Sequence, residues 1–562
     1  MKKFYILIVS ILISIIAISQ VAPDKYRVKF TDKNNSPYSI NSPEEFLSQK
    51  AIDRRNQQDI PVVENDLPVN PQYIEAVAGT GVTILNASKW FNSVTIYTTD
   101  QNALNTINDF SFVLSVEKSG GMDNLIRKGK SEKPFFANEY FEEKSENNLK
   151  SLSAGNSYDY GAGYNQIHML NGDVMHDMGY NGTGVTIAVL DAGFQNADNL
   201  IVFDSLWENE QILGYKDFVN PQNPNIFNSH YHGSMVLSTM GGNWPGQLVG
   251  TAPKADYWLL RSEDADTEYL IEELNWVSAA EFADSVGADI INSSLGYTVF
   301  DDPSQDHTYQ DMDGNTTPIS IGADIAVSKG LIVVNSAGNS GGSPWQYIGA
   351  PADGDSVFSI GAVDDNGNYV YFSSTGPTAD GRLKPNVVAQ GSGSAIVDPG
   401  NGNITFGSGT SFSSPITAGM VACLWQANPL KRNMEILESV EQSASLANNP
   451  NNELGYGIPD YVVAHSLLTD SGDKLELKDK IEVYPNPFVD EINILIDKNE
   501  YTVNSFELID YTGKVVVYRE INKKAYHSQE LEIGGLHNLS SGFYFIKITS
   551  ENEVYIKKVM KK

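Results

Sequence analysis

The sequence predicts an α/β core built on a parallel sheet covered on both faces, with an α+β unit before it and a β-sandwich after it. Three observations predict this. Between about Tyr160 and Leu468, short apolar runs bounded by Gly, Asn and Asp alternate with longer helical segments, the pattern of buried parallel strands and their crossover helices. Residues 25–118 mix alternating strands with helical stretches, and residues from about 481 to 562 are strand-like throughout. A chain of 562 residues has room for about three or four domains.

Taken in order, Lys2 and Lys3, an apolar run at 4–16 and the small-residue site Ala17-Ile18-Ser19 read as an export signal over residues 1–19, removed to leave Gln20. The alternative is a membrane anchor, but the run is short and no second stretch of spanning length follows. Residues 20–118 form the α+β unit. Tyr26, Val28 and Phe30 alternate as in a half-buried strand. Pro43-Glu44-Glu45 opens a helical stretch through Arg55, Asn70-Pro71 opens a second, and 82–85, 94–97 and 112–116 supply further strands. Residues 119–158 begin Ser119-Gly120-Gly121, turn Lys/Glu-rich and show little periodicity, as an exposed, protease-sensitive linker does.

The core spans 159–468, with strands expected at 185–190, 290–292, 331–334 and 357–363 and helices at 267–286 and 319–328. A polar hinge at 469–480 leads to the 481–562 sandwich. Its strands are expected at 492–496, 505–510, 515–518, 542–548 and 553–559, separated by turns such as Tyr511-Thr512-Gly513. A net charge of -32 excludes nucleic acid as partner, because phosphate neutralisation needs clustered Lys and Arg. Cys423 is the single cysteine, so no internal disulfide can form. It falls in the apolar face of Ala418–Trp425 and reads as a small buried hydrophobe.

Four residues carry chemistry by their order. Ser411, in Gly409-Thr410-Ser411-Phe412-Ser413-Ser414-Pro415, sits where a small-residue turn enters an apolar helix; alone it reads equally as a helix cap. Asp191 directly follows the run 185–190, at the carboxyl edge where parallel sheets place functional side chains. Gly182-Thr183-Gly184 precedes that strand rather than following it, which rules out a dinucleotide fingerprint. His232 lies in His230-Tyr231-His232-Gly233. The histidine pair also permits a metal site, for which neither a third ligand at suitable spacing nor a glutamate base is evident. Asn339, in Ser336-Ala337-Gly338-Asn339-Ser340, is either a turn residue or an amide donor for a developing oxyanion. The order Asp, His, Asn, Ser matches neither the α/β-hydrolase nor the chymotrypsin arrangement, which excludes a lipase or esterase of the first type.

With VLDAGF around Asp191, HGSMV at His232, INSSLG at 291–296, NSAGNSG around Asn339 and GTSFSSPITAG at Ser411, the chain resembles the subtilases, the subtilisin-like serine peptidases, over most of 160–468. The resemblance implies a subtilisin-like doubly wound sheet. It implies that Asp191 orients His232, that His232 is general base and then acid, and that Ser411 forms an acyl-enzyme while Asn339 completes the oxyanion hole. It further implies that Ser294, Leu295 and Gly296 pair with an extended substrate. Ala337, Gly338 and Gly349 would line the primary pocket, roomy enough for a bulky apolar side chain, with a cis bond at Ala350-Pro351. Calcium is common in the family, but no loop here names its ligands, so no metal or cofactor is assigned.

The chain departs from the family at Ala192, Met235 and Phe412, where a hydroxyl, a second histidine and a methionine are usual. Loss of that methionine implies tolerance to peroxide. Residues 25–118 resemble a subtilase propeptide, an intramolecular inhibitor; a permanent N-terminal domain is the alternative. The tail, with VYPNPF, LIDYTGKVV, GLHNLSSGFYFIKI and VYIKKVMKK, resembles a type IX secretion sorting domain, against a carbohydrate-binding or adhesion module. Together these imply a serine endopeptidase made as a zymogen, acting on protein or peptide substrates and delivered by the type IX machinery to the cell surface or medium. The alternative is a catalytically inactive subtilase fold used for binding.

Overall fold

The computed structural model describes residues 24–119, 140–142, 157–469, 481–496, 502–510, 514–524, 529–550 and 554–562. The expected export signal lies outside the described residues, as do most of the two linkers. The chain divides into two compact units, Met1–Tyr461 and Val462–Lys562.

The first unit opens with β1 (Lys25–Phe30), α1 (Gln49–Gln57), α2 (Pro71–Ala78), β2 (Thr83–Ser88), β3 (Ser93–Tyr97), α3 (Gln101–Asn108) and β4 (Val113–Lys118). The strands form an antiparallel sheet in the order β2-β3-β1-β4. Val28, Phe30, Val94 and Ile96 share a core with Val77 of α2 and Ala103, Leu104 and Ile107 of α3. Sequence reading missed α3, although Asp100 caps it by accepting from the N–H of Asn102. The helix expected from Pro43 through Arg55 is broken into a short 3-10 turn, Pro43–Glu45, and α1. Ser48 makes the break, accepting the Ala51 N–H as the cap of a new helix.

Within the linker, β5 (Tyr140–Glu142) is a short strand, which the aperiodic reading of 119–158 did not foresee. The core follows with α4 (Tyr164–His168), α5 (Gly172–Asp177), β6 (Thr186–Asp191), α6 (Asp204–Glu208), β7 (Ile212–Asp217), α7 (His232–Gly241), the ribbon β8 (Asn243–Trp244) and β9 (Leu248–Val249), β10 (Asp256–Arg261) and α8 (Ile271–Val286). Next come β11 (Ile290–Ser293), α9 (Pro318–Ser328), β12 (Ile332–Ser336), β13 (Phe358–Val363), β14 (Val387–Gln390), the hairpin β15 (Ser394–Val397) and β16 (Ile404–Ser408), α10 (Thr410–Ala427), α11 (Asn433–Ser443) and α12 (Tyr461–Thr469). Helix α8 starts four residues later than expected because side chains claim the preceding N–H groups: Asp264 accepts from Asp266, and Glu272 from Tyr269.

Seven strands form one parallel sheet in the order β14-β13-β12-β11-β6-β10-β7. From β6 the chain goes to the edge at β7, returns to insert β10 between them, and then crosses to β11 on the other side. The β6/β11 boundary is therefore the switch point at whose carboxyl end a crevice opens. Alternation decides the faces. Ala188 and Leu190 of β6 and Ile291 of β11 share a core with Trp276, Val277 and Ala280 of α8 and Ala323 of α9. Asp191 has the opposite parity to Leu190, and so faces the layer of α7 and α10.

The second unit holds β17 (Ile481–Tyr484), β18 (Glu491–Ile496), β19 (Thr502–Asp510), β20 (Val515–Lys524), β21 (Gln529–Gly534), β22 (Gly542–Ser550) and β23 (Val554–Lys561). They make antiparallel sheets of order β17-β18-β21 and β20-β19-β22-β23. Ile492 and Ile494 of one sheet and Phe506, Leu508, Ile546 and Ile548 of the other bury a shared core, which makes this unit a β-sandwich. Among the described residues, no helix is long and apolar enough to cross a membrane.

Candidate active site

Asp191 is the last residue of β6 and His232 the first of α7, and both are fully buried. His232 Nδ1 lies 2.8 Å from Asp191 Oδ1. A carboxylate only accepts, so Nδ1 carries the proton and Nε2 is the basic nitrogen. The same Oδ1 accepts the Ala192 N–H at 2.7 Å; that backbone contact is made without the hydroxyl usual at position 192. Gly233 permits the close turn: a Cβ there would lie 2.4 Å from the carbonyl oxygen of Gly193. His230 Nδ1 accepts from the His232 N–H at 3.4 Å.

Ser411 is the second residue of α10, and helices α7 and α10 pack together. It does not cap the helix. Gly409 holds the cap position, and Ser411 Oγ, although fully buried, has no hydrogen-bond partner among the described residues. Its backbone is held instead. Pro415 lacks the N–H that would bond the Ser411 carbonyl four residues back. The Ser294 hydroxyl takes that place, donating to Ser411 O at 2.9 Å. Ser414 Oγ donates to Asn292 Oδ1 at 3.1 Å, a second tie between α10 and β11.

Asn339 Oδ1 accepts both the N–H of Thr410 (2.8 Å) and its hydroxyl (2.9 Å). Thr410 Oγ1 in turn accepts the Gly338 N–H at 3.1 Å. These bonds fix the amide's orientation, with its oxygen on Thr410, the neighbour of Ser411. Thr410, Asn335 (which donates to Leu295 O at 3.0 Å) and the hydroxyl of Ser294 are positioning groups that sequence reading missed. All three lie inside the matched strings themselves.

The expected pocket residues Ala337, Gly338 and Gly349 line one small cavity of about 20 Å³, joined there by Gly296 of the segment expected to pair with substrate. Ser294 and Leu295 lead into it, and the Ala350-Pro351 bond is cis. The cavity is smaller than the small residues alone suggested, because Ser336, Ser340, Ser374, Thr298 and Tyr347 complete its wall. Ser374 Oγ accepts the Ser340 N–H at 3.0 Å, while Ser336 Oγ is buried without a partner among the described residues. Gly338 has φ +105°, and a Cβ there would come within 2.9 Å of Ser374 Oγ, so any side chain would strain the turn and crowd the wall.

Beyond this pocket, Glu263, Glu268 and Glu272 are buried and offer carboxylate oxygens within 4.8 Å of one another. These three could hold a cation. The Tyr297 hydroxyl donates to Glu263. Phe412 is buried against Met235, Ile396 and Tyr231. The sulfur of Met235 is thus one shell away from the nucleophile and almost fully enclosed. Dilute peroxide is expected to leave activity largely intact; rapid loss would show that Met235 is reached. Cys423 is buried, its thiol donating to Thr251 O at 3.2 Å, and burial pushes its pKa far up, which makes it inert.

The N-terminal sheet sits on α8. Ser88 Oγ (2.6 Å) and the N–H groups of Lys89 (2.7 Å) and Trp90 (3.0 Å) all donate to the Glu281 carboxylate. One turn on, Asp284 is shared by Arg54 (2.7 Å), Arg55 (2.9 Å) and Lys89 (2.9 Å), all buried. Burial works to raise the Asp284 pKa, but Lys89, Arg55 and Arg54 outweigh it and hold the carboxyl well below the usual range. Burial pushes Glu281 the other way, up to about 7, against the pull of Ser88 and Lys89. At the end of β4, the Ser119 carbonyl accepts the Ile271 N–H at 3.0 Å, bringing that end to the start of α8.

Comparison with known proteins matches this chain to three family models: the Subtilase family at residues 182–457, the Peptidase S8 propeptide domain of Bacteroidota at 25–133, and the secretion system C-terminal sorting domain at 482–562. Among curated proteins it is similar to alkaline elastase YaB of Bacillus sp. (strain YaB), with 30% identity over 284 residues covering 50% of this chain and 65% of that one. It is similar to subtilisin DY of Bacillus licheniformis, with 30% identity over 285 residues covering 50% and 90%. Subtilisin E of Bacillus subtilis (strain 168) matches at 27% identity, with 66% of its length covered. The chain thus spans just under two thirds of the length of two of these three relatives.

Proposed function

The chain belongs to the subtilase family, and from that premise we propose that it is a secreted serine endopeptidase made as a zymogen. The observation that carries the reading is the fully buried Asp191–His232 pair at the start of α7, packed against helix α10, in which the buried Ser411 hydroxyl has no hydrogen-bond partner among the described residues. With Nδ1 held protonated by Asp191, Nε2 takes the Ser411 proton as Oγ attacks a peptide carbonyl. Asp191 stabilises the imidazolium, which then protonates the leaving amine. Water repeats the sequence on the acyl-enzyme. The Asn339 NH2 and the Ser411 N–H meet the oxyanion; Asn339→Ala is expected to lower kcat about 10²–10³-fold, the loss known for the corresponding side chain in a subtilisin. Ser294, Leu295 and Gly296 would carry an extended substrate as an added strand, its primary side chain entering the cavity beside Ala337, Gly338 and Gly349.

The N-terminal unit acts as the inhibitor of its own protease, docked on α8 until the linker is cut. The sorting domain hands the chain to the type IX secretion machinery, giving a cell-surface or released enzyme. Labelling with a fluorophosphonate tests the mechanism, because only an activated serine reacts. Wild type should label and Ser411→Ala should not. A chain that folds but does not label in either form would instead be an inactive subtilase fold used for binding.

A further inference from the structure

Among the described residues, every one that lines the primary cavity is Gly, Ala, Ser or Thr except Tyr347. Side chains that small leave the space between their backbones open. Yet the space here is about 20 Å³, room for about a single water molecule. The one bulky group in the wall accounts for the difference. We propose that Tyr347, backed by Tyr309, sets the primary specificity of this enzyme by closing the pocket to all but small side chains such as those of alanine and serine. The inference rests on the reading of Ser411 as the nucleophile and of this cavity as its primary pocket. It goes beyond that reading by naming the substrate class and the residue that selects it.

A tyrosine free to swing aside would admit a larger group, so what holds Tyr347 decides the matter. Its main chain is tied to a neighbouring segment. Tyr347 forms a parallel bridge with Thr375, whose N–H donates to Gln346 O at 3.1 Å and whose carbonyl accepts the Ile348 N–H at 3.0 Å. Gln346 is left-handed, with φ 64°, a conformation that persists in a non-glycine residue only where the surroundings hold it. The ring is held as well. It lies against the ring of Tyr309, with centroids 4.2 Å apart and planes inclined by 31°. Tyr309 opens the 3-10 turn Tyr309–Asp311, in the segment joining β11 to α9. Its hydroxyl is shared between the carbonyl oxygens of Pro377 (3.0 Å) and Thr378 (3.1 Å). Two residues earlier, the His307 N–H donates to the carbonyl of Thr298 at 2.8 Å, and Thr298 belongs to the same cavity wall. Rotating the Tyr347 ring therefore breaks a contact whose far member is anchored. The other walls are equally close. A Cβ at Gly349 would come within 3.0 Å of Thr298 Cγ2, and one at Gly338 within 2.9 Å of Ser374 Oγ.

The test compares peptide anilides that differ only in the residue whose carbonyl Ser411 attacks, cleaved by processed enzyme, beside fluorophosphonate labelling. Wild type should favour alanine over phenylalanine by roughly a hundredfold in kcat/KM, within the range that one methylene commands in a pocket. Tyr347→Ala should shift that ratio towards phenylalanine by about tenfold or more. Tyr309→Ala leaves the ring and removes its backing, so the ratio should shift the same way by less. Tyr347→Phe keeps the ring and its contact, and should keep the wild-type preference. A merely structural loss would lower both substrates together and leave the ratio alone. Should Tyr347→Ala fail to fold, Tyr309→Ala carries the same comparison. A labelled wild type that prefers phenylalanine, or an unchanged ratio in labelled Tyr347→Ala or Tyr309→Ala, overturns the inference and leaves the peptidase reading standing. A wild type that neither labels nor cleaves any of the peptides overturns both.

Discussion

Ser411→Ala is expected to lower peptidase turnover by roughly 10⁶-fold, and His232→Ala by about as much, the size of loss known for these positions in a subtilisin. The reason is visible in how the site is built. The two side chains act as one unit, since the serine is a weak nucleophile without the basic Nε2 and the imidazole has nothing to activate without the hydroxyl. The double variant should therefore be scarcely worse than either single one. What remains should come from Asn339 and substrate binding. Turnover of a soluble peptide by processed enzyme measures this. Near-wild-type turnover in Ser411→Ala would reject the mechanism outright.

The second large effect is expected at Asp284, remote from the chemistry. Asp284→Ala removes the one carboxylate on which Arg54, Arg55 and Lys89 converge in a buried interface. Stripping one partner from a buried ionic cluster costs about 3–5 kcal/mol, because the remaining charges lose their compensation without regaining water. The unprocessed Ser411→Ala precursor should therefore unfold at a clearly lower temperature, or fold in lower yield, when it also carries Asp284→Ala. The pH dependence has a sign. The carboxyl of Asp284 is depressed, so its contribution is present above the ordinary carboxylate range and persists into strong acid. Glu281 is raised to about 7 in the docked state, so docking loses stability as pH rises from the ordinary carboxylate range to about 7. The precursor should be most tightly clamped in mild acid, and Glu281→Gln should flatten that profile. An interface equally stable at pH 5 and pH 8 would show that Glu281 remains ionised throughout.

Where a residue's place in the fold depends on local pattern, the sequence was enough to read it. Asp191 ends a run of apolar residues, His232 and Ser411 each open a helix, and the short strands between Gly, Asn and Asp became the parallel sheet. What could not be read depended on partners distant in the chain. What holds the Ser411 carbonyl turned on Pro415 and on Ser294, more than a hundred residues apart. The pocket's wall takes in Ser374, Thr298 and Tyr347, which no string around Asn339 contains. Strand β5 has no periodicity of its own over three residues; it exists because β16 offers an unpaired edge. Helix α3 was missed for the opposite reason, since eight residues are too few for a convincing helical period.

The proline at position 415 has a wider consequence. By leaving the carbonyl of Ser411 without its helical partner, it hands that oxygen to Ser294, whose own backbone begins the segment proposed to carry substrate. Reactivity and selectivity therefore share a single mechanical joint. An engineer who reshapes the edge at 294–296 to admit a different sequence also moves the nucleophile. Variants selected for new specificity should thus arrive with compensating changes around 411 and 414 rather than at the pocket wall.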